Sequence, residues 1–351
     1  MPQMVIIGAG LIGTSIGLAA TKNGLTCTFI DANPRNQALA NQLCGSVASI
    51  STTNESDLVN LVVVATPVPE VANEVLAALI EYPKAMVIDI GSIKTKVLLE
   101  VSSKVDANVL SRYLGTHPMA GREITGPEGA RSDLFAGRAW AICPHEGSNQ
   151  ADVEIIDELI RSFGATPYQM DSEEHDEQVA LVSHLPQLLA SLLAGTLHGE
   201  LSLAGQGLRD MVRIADSDPA LWGGILSGNQ LAIKPLLRQI AKQIDQLIDL
   251  NLSRESIEKV ITAGVIGKST IPGKHGGVDR DYAKLPVVIN DKPGQLAALF
   301  TICGEIGVNI EDLSIEHSPQ QATGLITLFV AQADLSTLIN ELTARGWQLH
   351  P

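Results

Sequence analysis

The apolar positions of this chain come in two textures. Over the first half they form short continuous runs: MVII (4–7), TCTFID (26–31), LVVVAT (61–66), AMVIDI (85–90) and AWAIC (139–143). These runs are β-branched and do not alternate with polar residues, which is how strands buried on both faces of a parallel sheet read. Helical patterns lie between them. Residues 1–170 are therefore expected to form an α/β domain, a doubly wound parallel sheet. From Asp171 to Lys268 the texture is helical throughout, as in VSHLPQLLASLLAGTL and IKPLLRQIAKQIDQLIDL. Its apolar content is high for a bundle standing alone, which predicts a homodimer interface. Residues 269–284 are polar and rich in Gly and Lys, and read as a linker. The runs LPVVIN, NIEDLSIEH, GLITLFVA and WQLH, with helices at 294–306 and 334–345, predict a βαββαβ unit over 285–351, a small ferredoxin-like α+β domain.

Composition narrows the function classes. The 351 residues are 45% hydrophobic and 18% charged, enough apolar material for sizeable cores. The formal net charge of -15 disfavours nucleic acid and anionic membranes as partners. Local arginines remain free to hold an anionic small molecule. Cys27, Cys44, Cys143 and Cys303 form no CxxC pair and no His/Cys cluster, so free buried thiols in a reducing cytoplasm are expected, with no metal. The N-terminus has no basic leader and enters a strand almost at once, and no unbroken apolar run is long enough to predict a membrane span.

The clearest chemical motif is Gly8-Ala-Gly10-Leu11-Ile12-Gly13, a GxGxxG that follows a strand and opens a helix. Asp31 closes the next strand, 18 residues after Gly13. This context makes it a Rossmann-type dinucleotide fingerprint. Gly8 permits the tight turn, Gly10 lets the backbone approach a pyrophosphate, and Gly13 lets helix and strand pack closely. Asp31 would bind the ribose hydroxyls and repel a 2′-phosphate, favouring NAD over NADP, with Arg35 near enough to blur the preference. Thr66 and Pro67, at the end of a later strand, line the same crevice. Ser92 and Lys94, in DIGSIK, point toward its reactive end; Ser92 is equally readable as a helix N-cap.

The stretch GTHPMAGREITG (115–126) holds a histidine, a proline and three glycines, a composition that should break helix and strand alike. The proline biases His117 to extended backbone. A neutral imidazole held there is either a base for a hydroxyl proton or a loop histidine bonded to backbone. Arg122 either faces substrate carboxylates or solvates the loop. Arg213 reads by itself as a surface arginine capping the end of its helix, and His175 and His184 as satisfied histidines of a packed helix.

The ordered set GxGxxG…D, DIGSIK, GTHPMAGRE, HDEQVALVSHLP and MVRIADSDPALW strongly resembles the prephenate/arogenate dehydrogenase family of tyrosine biosynthesis, over about residues 4–260. The tail, with NDKPG (290–294) and GVNIED (307–312), resembles an ACT domain, an amino-acid sensor. The resemblance implies an NAD-dependent oxidative decarboxylation of prephenate, or of arogenate. It implies that His117 accepts a hydrogen bond from the 4-hydroxyl and that Ser92 bonds near the hydroxyl and the nicotinamide. Arg213 would grip a substrate carboxylate, assisted by Arg209, and His184 would position substrate. Many members read SHLPH; here Gln187 takes the last place and cannot carry positive charge. In the tail, Asn290, Asp291, Gly294 and Gln295 would offer an effector, tyrosine or else phenylalanine, their backbone amides, with Asn309 and Ile310 on the facing edge.

Overall fold

The structure, a computed structural model, describes residues 3–46, 58–122, 124–271, 282–290, 292–317 and 323–350. Asp291, Glu123 and most of the expected linker therefore lie outside the described residues. Contacts divide the chain into two compact units: residues 1–195 with 214–240, and residues 196–213 with 241–351.

The first unit is built on a seven-stranded sheet. Its strands are β1 (Gln3–Ile7), β2 (Thr26–Ile30), β3 (Val59–Val64), β4 (Met86–Asp89), β5 (Tyr113–Pro118), β6 (Ala139–Cys143) and β7 (Thr166–Gln169), in the order β2-β1-β3-β4-β5-β6-β7. The helices α1 (Leu11–Lys22), α2 (Pro34–Leu43), α3 (Val68–Glu81), α4 (Thr95–Ser102), α5 (Ala107–Leu110) and α6 (Gln150–Ser162) connect them. Successive strand residues go to opposite faces. Met4, Ile6 and Val63 join one core with Phe29, Phe135 and Trp140, while Val5, Val62 and Val64 join another with Val75 and Tyr113. Two buried faces explain why the runs read as continuous.

Two expectations are revised. Strands β1 to β5 are parallel, as expected, but β6 runs antiparallel to β5 and carries β7 with it. And Gly115–Pro118 does not break a strand. It is the end of β5, with His117 opposite Ala141 and Pro118 opposite Trp140. The proline closes the strand, where a missing N–H costs least, and its bias on the preceding residue is itself extended. A Cβ on Gly115 would lie 3.2 Å from the Lys94 side chain, a tight contact that Lys94 would have to shift to admit.

The remaining helices of this unit are α7 (Ser172–Val179), α8 (Leu185–Gly195) and α10 (Pro219–Gly228), with α9 (Gln206–Val212) in the second unit and α11 (Gln230–Asp249) beginning at the end of the first. Between α7 and α8 the backbone widens into a π-helical turn, Ala180–His184. Pro186 is the cause: it cannot donate to the carbonyl of Val182, and its ring would clash there in a regular helix. An 18-residue window of the composite helix Ser172–Gly195 has a mean hydropathy of 1.3, and the helix is long and apolar enough to cross a membrane. Here its packed face carries the buried polar residues Ser172, His175, Asp176 and His184, which fits a helix seated on a protein core.

The second unit contains α12 (Arg254–Ser269) and the expected βαββαβ tail: β8 (Ala283–Asn290), α13 (Gln295–Glu305), β9 (Ile310–His317), β10 (Thr323–Val330), α14 (Leu335–Ala344) and β11 (Gln348–Leu349). Its sheet, in the order β11-β8-β10-β9, is antiparallel throughout and covers a core that includes Leu285, Val287, Leu299, Leu328 and Leu338.

Candidate active site

The sheet order places the topological switch between β1 and β3, where an α/β crevice takes its ligand. The glycine turn sits there. Gly8 has φ +106°, and a Cβ on it would lie 2.4 Å from the Ala65 carbonyl oxygen. A Cβ on Gly13 would lie 2.1 Å from the Gly8 carbonyl oxygen, while one on Gly10 would meet nothing within 4 Å. Two glycines are thus demanded by packing, and the third leaves backbone open to the crevice. Leu11 and Ile12 begin α1, and its free amides face the turn. Asp31, just past β2, accepts from Ala9 N at 2.6 Å and from Asn33 N at 2.7 Å, which pins its carboxylate beside the turn. Thr66 Oγ1 and Ser92 Oγ are buried and have no hydrogen-bond partner among the described residues. Orphaned hydroxyls are costly unless a ligand satisfies them. Together these features fit a dinucleotide. Pro67, the N-cap of α3, completes the strand ends.

If the Asp31 carboxylate reads a ribose diol, Asp31→Ala should weaken NAD roughly 10- to 100-fold, the worth of a charge-assisted hydrogen bond, and narrow the margin over NADP. Fluorescence titration of both cofactors checks this; an unchanged NAD/NADP ratio would take Asp31 out of cofactor choice.

At the other end of the crevice Lys94 departs from expectation. It is fully buried, and its ammonium pairs with the buried carboxylate of Asp89 and donates to Thr116 O at 2.8 Å. Asp89 also accepts from Tyr113 Oη at 2.7 Å and Gly91 N at 2.8 Å, and its carbonyl accepts from Thr116 Oγ1 at 2.8 Å. Burial, then the Asp89 charge, pushes the Tyr113 phenol far above its ordinary range, so it stays a donor. This cluster ties β4 to β5 directly beneath His117.

Ser92 does not cap α4. That helix begins after Lys94, and its first amides, Lys94 N and Thr95 N, donate to the two Asp176 oxygens at 2.8 and 2.9 Å. The cap comes from a carboxylate some eighty residues away in the chain, set against the positive end of the helix. Burial works to raise the Asp176 carboxyl, but bonds from His175, Lys94 N and Thr95 hold it below the ordinary range.

Three histidines gather around Asp176, and of these only His175 touches its carboxylate. His175 Nδ1 lies 2.9 Å from Asp176 Oδ1, and His175 Nε2 lies 2.9 Å from His117 Nδ1. His184 Nδ1 lies 3.1 Å from Asn229 Nδ2, whose amide also donates to Asp176 O at 2.7 Å. The His184 ring meets Trp222 edge-on at 6.3 Å. His117 itself is half-buried. Burial of its ring, then the neighbouring His175, Lys94 and His184, drives its pKa well below the usual histidine value. It is a neutral imidazole with one nitrogen uncommitted. Burial lowers His184 to about 4.

These shifts carry a stability prediction. The folded pKa values of His117 and His184 lie below the unfolded value of 6.5, so the unfolded chain takes up protons that the folded chain refuses. Stability is full above that value and falls as pH drops toward about 4. Urea midpoints should therefore decrease from about pH 7 to about pH 5; a flat profile would contradict neutral burial.

The other expected residues are placed as follows. Gln187 is buried on α8, with Nε2 3.4 Å from Ser191 Oγ. Arg122 donates to Gly129 O at 2.8 Å, so it holds its own loop. Arg209 lies on α9 and Arg213 in the 3-10 turn that follows; both are exposed and belong to the second unit. Asn290 ends β8, Gly294 is left-handed with φ +86° and caps α13, and Gln295 begins that helix. Asn309 donates to Glu311 at 2.8 Å, and Ile310 opens β9, an edge strand.

Residues 16–169 match the family model described as the nucleotide-binding domain of prephenate dehydrogenase, and residues 171–262 match the model of its dimerization domain. The probable prephenate dehydrogenase NovF of Streptomyces niveus is 29% identical, with 99% of each chain covered. The prephenate dehydrogenase of Bacillus subtilis is 28% identical over 93% of this chain and 91% of its own. Among solved structures, the Aquifex aeolicus prephenate dehydrogenase in complex with hydroxyphenyl propionate and NAD+ has a TM-score of 0.67 at 24% identity, covering 76% of this chain and 98% of that one. An arogenate dehydrogenase from Synechocystis has a TM-score of 0.64 at 22% identity, covering 77% and 100%.

Proposed function

The chain belongs to the prephenate dehydrogenase family, and on that premise we propose that it oxidises and decarboxylates prephenate to 4-hydroxyphenylpyruvate with NAD. The observation that carries this reading is the neutral His117 imidazole at the carboxyl end of β5, one strand away from the loop that holds the orphaned Ser92 hydroxyl. When bound, the nicotinamide supplies the hydride acceptor. His117 draws the proton of the substrate 4-hydroxyl toward itself as hydride leaves C4. The bond to the ring carboxylate breaks, CO2 departs, and its electron pair completes the aromatic ring. The proton then returns to the phenol oxygen, so none is released. Ser92 Oγ orients the same hydroxyl, and buried His184 and Gln187 set the side of the pocket that meets the substrate side chain.

Arg213 is assigned the substrate carboxylate, with Arg209 assisting, on the strength of the motif MVRIADSDP. A guanidinium fork pairs with a carboxylate through two bonds. Arg213→Ala should raise KM roughly 10- to 100-fold with a smaller effect on kcat; an unaltered KM would move the contact to another cation. Arogenate is the second reading. The uncharged Gln187 leaves room for the arogenate ammonium, and the ratio of kcat/KM for the two substrates decides between them.

The active form is proposed to be a cytoplasmic homodimer. Exposed Ile244, Ile248, Ile257, Ile261, Val265 and Ile266 on α11 and α12 supply an apolar face for it, and all four cysteines are free and buried. The tail is proposed as an ACT-like sensor of tyrosine, supported by its βαββαβ order and by the left-handed Gly294 before α13. Turnover measured with added tyrosine tests the sensor; activity indifferent to tyrosine would leave the tail a pairing module.

A further inference from the structure

The hydrogen-bond chain around His117 has a direction, and that direction fixes which nitrogen does the chemistry. Asp176 accepts from Lys94 N, Thr95 N and His175, and these bonds hold it ionised. An ionised carboxylate only accepts, so the proton of neutral His175 sits on Nδ1. His175 Nε2 is then a bare lone pair, 2.9 Å from His117 Nδ1. Two lone pairs at that distance would repel, so His117 Nδ1 must carry its hydrogen and donate. What remains is His117 Nε2, unprotonated and not committed to any group among the described residues.

We propose that His175 and Asp176 are positioning residues that set the tautomer of His117, so that Nε2 is the hydrogen-bond acceptor presented to the substrate hydroxyl. The inference rests on the functional reading above only for the identity of that hydroxyl. The tautomer itself follows from the contacts. The same carboxylate caps α4, so the base and the helix carrying Lys94 to its start are referenced to one group. His184 is oriented independently, through Asn229 Nδ2, with Nδ1 accepting and Nε2 carrying the hydrogen.

The test is nitrogen NMR of the full-length protein with labelled histidine, which reads the protonated ring nitrogen without substrate or turnover. At neutral pH the expected result is His117 protonated on Nδ1 and bare on Nε2, with His175 showing the same pattern. A His117 proton on Nε2 would overturn the proposal, whatever the enzyme's substrate proves to be. Two variants add a kinetic arm. His175→Gln keeps an acceptor carbonyl for His117 Nδ1 and should retain the tautomer and kcat within a few-fold. His175→Leu removes the acceptor and should lower kcat roughly 10- to 100-fold at unchanged KM, by analogy with the larger penalty for a wrong tautomer in serine-protease triads. Equal kcat loss in both variants, with the His117 tautomer unmoved, would reduce His175 to a packing role. Absence of prephenate turnover in wild-type protein with the expected tautomer would sink the functional reading alone.

Discussion

His117→Asn is expected to lower kcat by roughly 10²–10⁴-fold, the usual worth of a positioned general base, while NAD affinity stays within a few-fold. The asparagine amide can still donate to His175 Nε2, so the local hydrogen bonding and the end of β5 should survive. What it lacks is a basic lone pair for the substrate hydroxyl. The cofactor turn is built from other parts: Gly8, Gly10 and Gly13 between β1 and α1, and Asp31 after β2. Loss of turnover and retention of binding should therefore separate. Steady-state kinetics beside an NAD titration makes the comparison. Unchanged kcat would remove His117 from the chemistry, and joint loss of both would mean that the substitution disturbs the fold.

The second large effect is on stability. Lys94→Met should destabilise the first unit by about 3–5 kcal/mol, because it strips the cation from Asp89 and leaves a fully buried carboxylate. Tyr113 Oη and Gly91 N would still donate to that carboxylate, but neither neutralises it. The paired change Asp89→Asn with Lys94→Met should recover part of the loss, since the penalty lies in the orphaned charge rather than in the absent pair. Thermal melts of the single and double variants decide this. A midpoint unmoved by Lys94→Met would mean that Asp89 tolerates isolation, and the account of the β4–β5 cluster would be wrong.

How much of this was legible in the sequence depends on how local each cause is. The glycine turn was readable because its whole motif lies within six residues at one helix start, although the contact that demands Gly8 comes from distant Ala65. The five apolar strands were readable because both faces of each are buried. β7, with the sequence TPYQ, is an exposed sheet-edge strand and gives no apolar signal. β5 was hidden by residues that usually end strands, and its partner β6 is antiparallel, a pairing that continuous apolar runs do not reveal. The widened turn before Pro186 had a visible marker, a proline inside an apolar helical pattern.

The site divides the same way. His117, His184 and Ser92 stood out through their motifs. The link between His117 and His175 spans 58 residues and exists only because α7 returns to the end of β5. Asp176 as the cap of α4 was likewise out of reach, although a carboxylate directly after His175 was the available hint. Lys94 read as a crevice cation because a lysine at a strand end looks the same whether it faces ligand or an aspartate five residues before it. Only packing separates those cases.

The most direct test is NADH formation by the full-length protein given NAD and prephenate, followed by absorbance, with CO2 collected from the same reaction. The account predicts NADH and CO2 in equal amounts, with 4-hydroxyphenylpyruvate as the organic product. NADH without CO2, or no turnover of prephenate or arogenate by protein that binds NAD, would contradict it.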